Sequence, residues 1–461
     1  MRGIVGAAAY LPRGRLDRST IAPVIGSGGG KGTRSVASYD EDTTTMGFEA
    51  ARLALRSVTT DGTPDALWFS TVTPAYVDKT NATAIHAALR LDHHVPAFDF
   101  GGAQRSAIGM LLAALSGQGT IVAVASDIRT GLPGSGDEAA GGDGASALVI
   151  GDGESVIAEH LASASATEEF VDRWRSPGDR RSKLWEERFG ETRYLPLGQR
   201  AFESALKEAE LSADQVDHLI VTGLHGRAAS GLTNRLGVAG ENVVDTRAAT
   251  IGNTGAAHPG LLLTSVLETA APGKVIALVV LADGADAVLF RTTEAISSHR
   301  PARTVEDQAA AGTPVPYGTF LAWRKMLPIE PPRRPEPART SSSASGRSID
   351  WKFGFVAKSG PDSGAPQLPP MPSGGDAVPM ADVPGTIVTF TVDRLAYSES
   401  PPVIFAIVDF DGGGRLPIEL TDVSEEDVVA GARVEMTFRK LFTSDGIHNY
   451  FWKARLIRGA A

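Results

Sequence analysis

Phe98-Asp-Phe-Gly-Gly-Ala-Gln-Arg-Ser-Ala-Ile-Gly-Met-Leu-Leu-Ala-Ala-Leu115 reads as strand, elbow and helix in that order. Ala97 to Phe100 is a short apolar strand, Gly101-Gly102 supplies the sharp turn, and the Ala/Leu-rich run beyond it has helical composition. Such a junction presents one side chain at a helix N-terminus, where free N–H groups and the helix dipole stabilise developing negative charge. The side chain presented is Gln104. An elbow of this kind ordinarily carries a nucleophile, and a carboxamide is not one.

Outward from the elbow, the chain repeats itself. Leu111-Leu-Ala-Ala-Leu-Ser-Gly-Gln-Gly-Thr-Ile-Val-Ala-Val124 is a helix end, a turn and a strand, and Ser265-Val-Leu-Glu-Thr-Ala-Ala-Pro-Gly-Lys-Val-Ile-Ala-Leu278 has the same order. Each is followed by a matching strand, Asp143-Gly-Ala-Ser-Ala-Leu-Val-Ile150 and Asp283-Gly-Ala-Asp-Ala-Val-Leu-Phe290. This predicts a duplicated αβ domain with two similar halves. The first copy carries an added loop, Asp127 to Gly141, and a long loop without its own structure is expected to cover a site. Helical spacing occurs at Thr44 to Leu55, Asn81 to Leu91, Leu197 to Glu208 and Gly260 to Ala270. Apolar runs at Ala66 to Thr71, Thr120 to Ala125, Leu219 to Thr222 and Val275 to Leu281 read as central strands buried on both faces. The expected class is α/β, with helices on both sides of mixed sheets.

Composition sets the limits. A chain of 461 residues, 42% hydrophobic and 21% charged, is large enough for a sizeable core. Its net charge of -10 argues against nucleic acid as the main partner. The apolar start, Met1 to Pro12, reads as a buried first strand, and no stretch approaches the ~20 apolar residues that span a bilayer. With no cysteine there are no disulfides, thiolate metal sites or Cys nucleophiles, and a cytoplasmic location is expected.

Five motifs stand out together: Tyr39-Asp-Glu-Asp-Thr-Thr-Thr-Met46, Gly101-Gly-Ala-Gln-Arg-Ser106, Ala125-Ser-Asp-Ile-Arg-Thr-Gly131, Thr167-Glu-Glu-Phe-Val-Asp-Arg-Trp174 and Gly252-Asn-Thr-Gly-Ala-Ala-His258. By these residues the chain resembles the thiolase superfamily, in the branch of 3-hydroxy-3-methylglutaryl-CoA synthase and 3-ketoacyl-ACP synthase III. The resemblance covers about residues 1–292 and implies a duplicated, layered αβαβα fold. In that family a Cys at the elbow takes an acyl group from CoA; the matching residue is Gln104. The family's catalytic Glu near the end of the second strand has no counterpart, because Phe69 to Val77 contains no acid. His225, after the strand Leu219 to Thr222, matches the family's catalytic His, and Asn253 matches its Asn. In the family these two donate hydrogen bonds to a thioester oxygen as it becomes an enolate, and one such donor is typically worth about 10²–10³ in rate.

A Gln offers two donors and one acceptor but forms no thioester, so covalent condensation is excluded. It suits enolate chemistry on a CoA thioester without an acyl-enzyme, such as decarboxylation or aldol and retro-aldol reactions. Polyketide loading ketosynthases, with Gln in the Cys position, are similar. The alternative is a non-catalytic scaffold or channelling subunit beside a Cys-bearing thiolase or acyltransferase. The resemblance also implies an acyl-CoA substrate, no covalently bound cofactor, and a homodimer or a complex with another thiolase-like subunit.

Three other motifs carry no chemistry on their residues. Ser27-Gly-Gly-Gly-Lys-Gly-Thr33 fails two of the fixed positions of a phosphate loop and reads as a flexible loop. His86, His93 and His94 do not form a metal set, and no metal is expected. Asp40-Glu41-Asp42 reads as solvated charge at the start of a helix.

From about Thr293 the composition changes. Glu330-Pro-Pro-Arg-Arg-Pro-Glu-Pro337 and Ser341-Ser-Ser-Ala-Ser-Gly346 read as an extended tether, and Tyr317 to Leu327 as a short docked helix. Thr386 to Val392 and Ala432 to Phe438 alternate, Val403 to Phe410 is a buried strand, and Asp411-Gly-Gly-Gly414 is a hairpin turn. Gly385 to Val392 and Phe405 to Asp411 resemble the acyl-CoA-associated OB-fold family. That family usually carries a zinc ribbon before the barrel, but here the ligand positions fall on Gly360 and Ser363, so the ribbon is expected to be metal-free. The expected division is 1–165 and 166–292 for the two halves, 293–350 for the linker, 351–382 for the degenerate ribbon and 383–461 for an all-β barrel.

Overall fold

The computed structural model describes residues 1–58, 63–361 and 364–457. The chain divides into two compact units. One holds Met1–Ala37, Glu49–Ala82 and His93–Phe320, and the other Ser38–Phe48, Thr83–Asp92 and Leu321–Ala461.

The first unit is built on a mixed sheet of nine strands: β1 (Arg2–Tyr10), β2 (Ala66–Thr71), β3 (Ala97–Gly101), β4 (Ile121–Ile128), β5 (Asp143–Asp152), β6 (Ala158–Ala166), β7 (His218–Gly223), β8 (Val275–Leu281) and β9 (Ala285–Thr292). Across the sheet they run β7-β8-β9-β6-β1-β5-β4-β2-β3. The duplication is visible in the pairing. In the first half β2 is parallel to β4, β4 antiparallel to β5, and β5 antiparallel to β1. In the second half β7 is parallel to β8, β8 antiparallel to β9, and β9 antiparallel to β6. Gly3 with Glu159 and Ile4 with Ala158 join the halves. Strand β3 is an addition to the first half, parallel to β2 at the edge.

Helices α1 (Thr43–Arg56), α2 (Arg105–Ser116), α3 (Glu187–Glu208), α4 (Gly226–Thr233), α5 (His258–Leu267) and α6 (Tyr317–Trp323) matter most below. Helices α2 and α5 hold the same place in the two copies. They send Ile108, Leu111, Ala114 and Leu115, and Leu261, Leu262, Leu263 and Val266, into one core. Burying a leucine is worth about 1.5–3 kcal/mol, so these two helices are held by their apolar faces.

Several boundaries differ from expectation. Helix α3 begins at Glu187 and passes through Pro196, although a proline inside a helix costs about 3 kcal/mol. Tyr194 and Leu195 before the proline, and Leu197, Ala201 and Phe202 after it, all enter one core, so tertiary burial carries the helix across the break. The Asp127 to Gly141 loop contains a short helix, Gly136–Ala140, capped by Ser135. Ser27 to Thr33 is packed rather than loose: Gly28 has φ +81°, and a Cβ there would come within 2.3 Å of the Gly134 carbonyl oxygen. Within the 293–350 stretch, Val305 and Tyr317 are buried, and the Tyr317 hydroxyl lies 3.1 Å from each carboxylate oxygen of Glu138. Ser341 caps a short helix, Ser342–Arg347, where extended chain was expected, because its hydroxyl accepts from the Ala344 N–H.

The second unit is built on an all-β barrel. Strands β10 (Gly385–Asp393), β11 (Val403–Phe410), β12 (Arg415–Glu419), β13 (Arg433–Ser444) and β14 (Ile447–Leu456) run in the order β12-β11-β10-β13-β14. All neighbours are antiparallel, and a bridge between Leu420 and Ala454 closes the ring. Before it, Val356–Ser359 pairs with Pro366–Gln367 and Ala377–Pro379 in the position expected for the ribbon. Ser363 lies outside the described residues.

This unit also takes in Ser38–Phe48, which corrects the reading of Asp40-Glu41-Asp42 as solvated. All three are buried. Asp40 pairs with Lys453 at 2.9 Å, Glu41 pairs with Arg439, and Asp42 accepts from the Tyr450 hydroxyl at 2.7 Å. Arg439 also meets Asp422 at 2.7 Å, and Lys453 also meets Glu419. Burial alone would push the Asp40 carboxyl up, but Lys453 and Arg439 outweigh it and hold it well below the usual carboxylate range. Phe48 completes the barrel core, edge-on to Trp452 and Phe438 at 5.5 and 5.4 Å.

Candidate functional site

The turns that follow β2, β3, β4, β7 and β8 all reach one place, although β7 and β8 run opposite to β2, β3 and β4 in the sheet. A cavity of about 760 Å³ lies there. Its wall includes Phe69, Thr71 to Thr73, Gly101 to Gln104, Arg129, Asp172 to Asp179, Tyr194, Leu224 and Leu281 to Asp283.

Gln104 precedes the first turn of α2 with helical dihedrals, φ -61° and ψ -36°, and its side chain makes no capping bond. The half-buried carboxamide instead donates from Nε2 to the Gly255 carbonyl at 3.3 Å. Asn253 approaches the same glycine from the other side: its Oδ1 accepts from the Gly255 N–H at 2.9 Å. Its Nδ2 donates to the Gly223 carbonyl at 2.9 Å. Gln104 and Asn253 therefore meet at Gly255.

His225 is placed differently. Its Nδ1 accepts from the Ala228 N–H at 3.0 Å, which caps α4 and fixes the proton on Nε2. Nε2 then donates to the Glu187 carbonyl at 2.7 Å. Both ring nitrogens are engaged by backbone, and Leu224, not His225, lines the cavity. The ring lies 5.9 Å from Tyr194, which does line it. Asn253 is likewise not among the lining residues.

The added loop contributes to the wall through Arg129 and holds a neighbouring hairpin through Asp137. Asp137 receives both arms of Arg173, at 2.7 and 2.8 Å. Buried Asp127, at the loop's root, ties the end of β2 to the turn before α5. Its Oδ1 accepts from the Thr71 hydroxyl at 3.0 Å, the Val72 N–H at 2.9 Å and the Thr73 hydroxyl at 3.2 Å. Its Oδ2 accepts from the Ala256 N–H at 2.7 Å. Burial pushes this carboxyl above its ordinary range, with Arg129 opposing.

Sequence reasoning missed Asp172, Asp283 and Tyr194, all on the cavity wall. Asp172 is buried, and burial raises its carboxyl, with His225 and Arg173 opposing. Tyr194 is pushed up by burial and then by Asp172 and Asp283. Asp172 lay inside a motif quoted for the resemblance, and Asp283-Gly284 is a turn signal between strands. Neither signal says that the side chain faces a cavity.

Comparisons with known proteins agree with this architecture. The hydroxymethylglutaryl-CoA synthase of Methanopyrus kandleri is 30% identical over 342 residues, covering 70% of this chain and 97% of that protein. The enzyme of the same name from Pyrococcus horikoshii is 28% identical over 339 residues, covering 71% of this chain and 97% of its own. Among solved structures, MvaS in complex with 3-hydroxy-3-methylglutaryl coenzyme A superposes with a TM-score of 0.60 at 21% identity, covering 73% of this chain and 94% of that one. 3-Oxoacyl-(acyl carrier protein) synthase III from Pseudomonas aeruginosa superposes with a TM-score of 0.55 at 20% identity, covering 63% and 98%. Residues 377–439 match the family described as ChsH2, C-terminal OB-fold domain. Among the described residues no helix is long and apolar enough to cross a membrane. With a thiolase-like core, an OB-fold barrel at its C-terminal end and a relative matched over nearly its whole length, this chain belongs to the hydroxymethylglutaryl-CoA synthase family.

Proposed function

We propose that the protein acts on a CoA thioester through an enolate, in a decarboxylation or an aldol or retro-aldol reaction, without acylating itself. The observation that carries this reading is Gln104 at the head of α2, on the wall of a cavity large enough for an acyl chain. A carboxamide there holds a carbonyl or carboxylate by hydrogen bonds but has no leaving-group chemistry to offer. The backbone N–H groups of the first turn of α2 favour negative charge developing beside it. Asn253, which shares Gly255 with Gln104, belongs to the positioning frame in this reading, and His225 supports the cavity through Tyr194. CoA enters as substrate, with no covalently bound cofactor, in a cytoplasmic protein.

The test is to incubate the chain alone with a panel of acyl-CoAs, including malonyl- and 3-hydroxyacyl-CoAs, and follow thioesters and intact protein by mass spectrometry. Shortened or extended thioesters with unmodified protein mass, lost in Gln104→Leu, are expected. An acyl adduct on the protein overturns the reading.

A second reading is favoured by one observation: both ring nitrogens of His225 and both polar atoms of the Asn253 amide are occupied by backbone. In that reading the chain is a scaffold or channelling subunit for a Cys-bearing thiolase-like partner. Co-purification of such a partner, whose turnover is unchanged by Gln104→Leu, would distinguish it. Whether the chain pairs with itself or with that partner is read by mass photometry of the same preparation.

A further inference from the structure

On the enolate reading one role is unfilled: the group that moves the proton. The turn after β2 holds no acid as far as Val77, and His225 is committed to capping. Asp283 stands in the tight turn between β8 and β9, at the point where the first copy carries the 127–141 insertion. Its φ is +45°, in the left-handed region that costs a residue with a side chain about 1–2 kcal/mol.

The backbone there is gripped on both sides. The Asp283 N–H donates to the Tyr194 hydroxyl oxygen at 3.3 Å, and its carbonyl accepts from Arg105 Nη1 at 2.8 Å. Arg105 is the neighbour of Gln104, so one guanidinium ties the aspartate to the carboxamide's own helix. The rest of that guanidinium binds Asp286, Nε at 2.9 Å and Nη2 at 3.2 Å. Gly284 leaves room for it, since a Cβ there would come within 2.5 Å of Arg105 Nη1. The Asp283 carboxylate, by contrast, makes no hydrogen bond or ion pair among the described residues, and the residue is exposed on the cavity wall. Asp172 lines the same cavity but is buried, with Oδ1 over Gly190, where a Cβ would come within 2.3 Å of it. Backbone strain around an uncommitted carboxylate, on the wall of the same cavity as Gln104, is the pattern of a site kept for chemistry.

We propose that Asp283 is the proton-transfer group of this site. Its carboxylate oxygen takes the α-proton of a bound acyl-CoA, the C–H electron pair moves into the enolate, and the reverse transfer restores the thioester. In a decarboxylation the acid form acts: the electrons left by departing CO₂ form the enolate, whose α-carbon takes the proton. The charged and titratable groups facing Asp283 are Arg105 from α2, Asp172 and Glu169 from the segment after β6, and Tyr194 from α3. Partial desolvation at the cavity wall raises the carboxyl, Arg105 opposes it, and Asp172 and Glu169 add to the rise. That brings an acid nearer the pH at which it can both give and take a proton. The proposal rests on the enolate reading above.

The test is deuterium wash-in at the α-carbon of acetyl-, propionyl- and isobutyryl-CoA in D₂O, followed by mass spectrometry, with thioester binding measured by calorimetry. Wild-type protein should exchange the α-protons, and Asp283→Asn should slow exchange by about 10²-fold or more with binding unchanged. Asp283→Gly removes the carboxylate while relieving the left-handed strain, so its loss of exchange cannot be laid to misfolding. Partial recovery in Asp283→Glu, with a shifted pH profile, would mark proton transfer rather than packing. Equal exchange in wild type and Asp283→Asn overturns the assignment and leaves the enolate reading standing. Binding without exchange in wild type overturns both.

Discussion

Gln104 and His225 show how hydrogen-bond bookkeeping separates residues that share a family position. Among the described residues the Gln104 side chain makes one hydrogen bond, Nε2 to the Gly255 carbonyl at 3.3 Å, which leaves its carbonyl oxygen and one donor hydrogen for a ligand. His225 has nothing to spare. Glu268 gives a residue-level prediction. Burial pushes its carboxyl up to about 7, although it accepts the Val305 N–H at 3.0 Å from both oxygens. A raised acid binds more protons folded than unfolded, so its contribution to stability is fully present below pH 4.5 and lost as pH rises through about 7. Thermal unfolding should therefore show a fall in midpoint between those pH values, flattened in Glu268→Gln. An unchanged profile in the variant would refute the assignment.

At the scale of elements, strands announced themselves and acids did not. Val275–Leu281 is buried at every position, and its length, its valines and isoleucine and the Pro272-Gly273 turn before it made the strand readable. Asp40-Glu41-Asp42 had a local explanation, the start of a helix, and their partners Lys453 and Arg439 lie some four hundred residues away. Periodicity sees neighbours along the chain and not across it, so this pairing was illegible. Asp283 escaped for a related reason: its turn was readable, but the cavity it faces is assembled from five strands. Gln104 was legible, because an elbow displays its residue by local geometry alone. The ion pairs yield a second prediction. Lys453→Met removes the cation paired with the buried Asp40 and should cost about 3–5 kcal/mol in denaturant unfolding. Adding Asp40→Asn should recover most of that loss, and failure to recover would show that the pair is not coupled.

At the scale of the whole molecule, the contact units do not follow the order of the chain. The barrel unit owns Ser38–Phe48 and Thr83–Asp92 as well as everything after Phe320. A fragment spanning 321–461 would lack Asp40, Glu41 and Phe48. It should show no cooperative thermal transition by circular dichroism, whereas the full chain should. A sharp transition in the fragment would mean that the early segments are ornaments to the barrel. Synthesis on the ribosome sharpens the point. At ~5–20 residues per second, roughly 20–80 s separate the emergence of Asp40 from that of Lys453. For that interval Asp40 and Glu41 wait in water for cations not yet made, and Asp42 for the Tyr450 hydroxyl, so strands translated late close a lock whose other half left the ribosome some four hundred residues earlier.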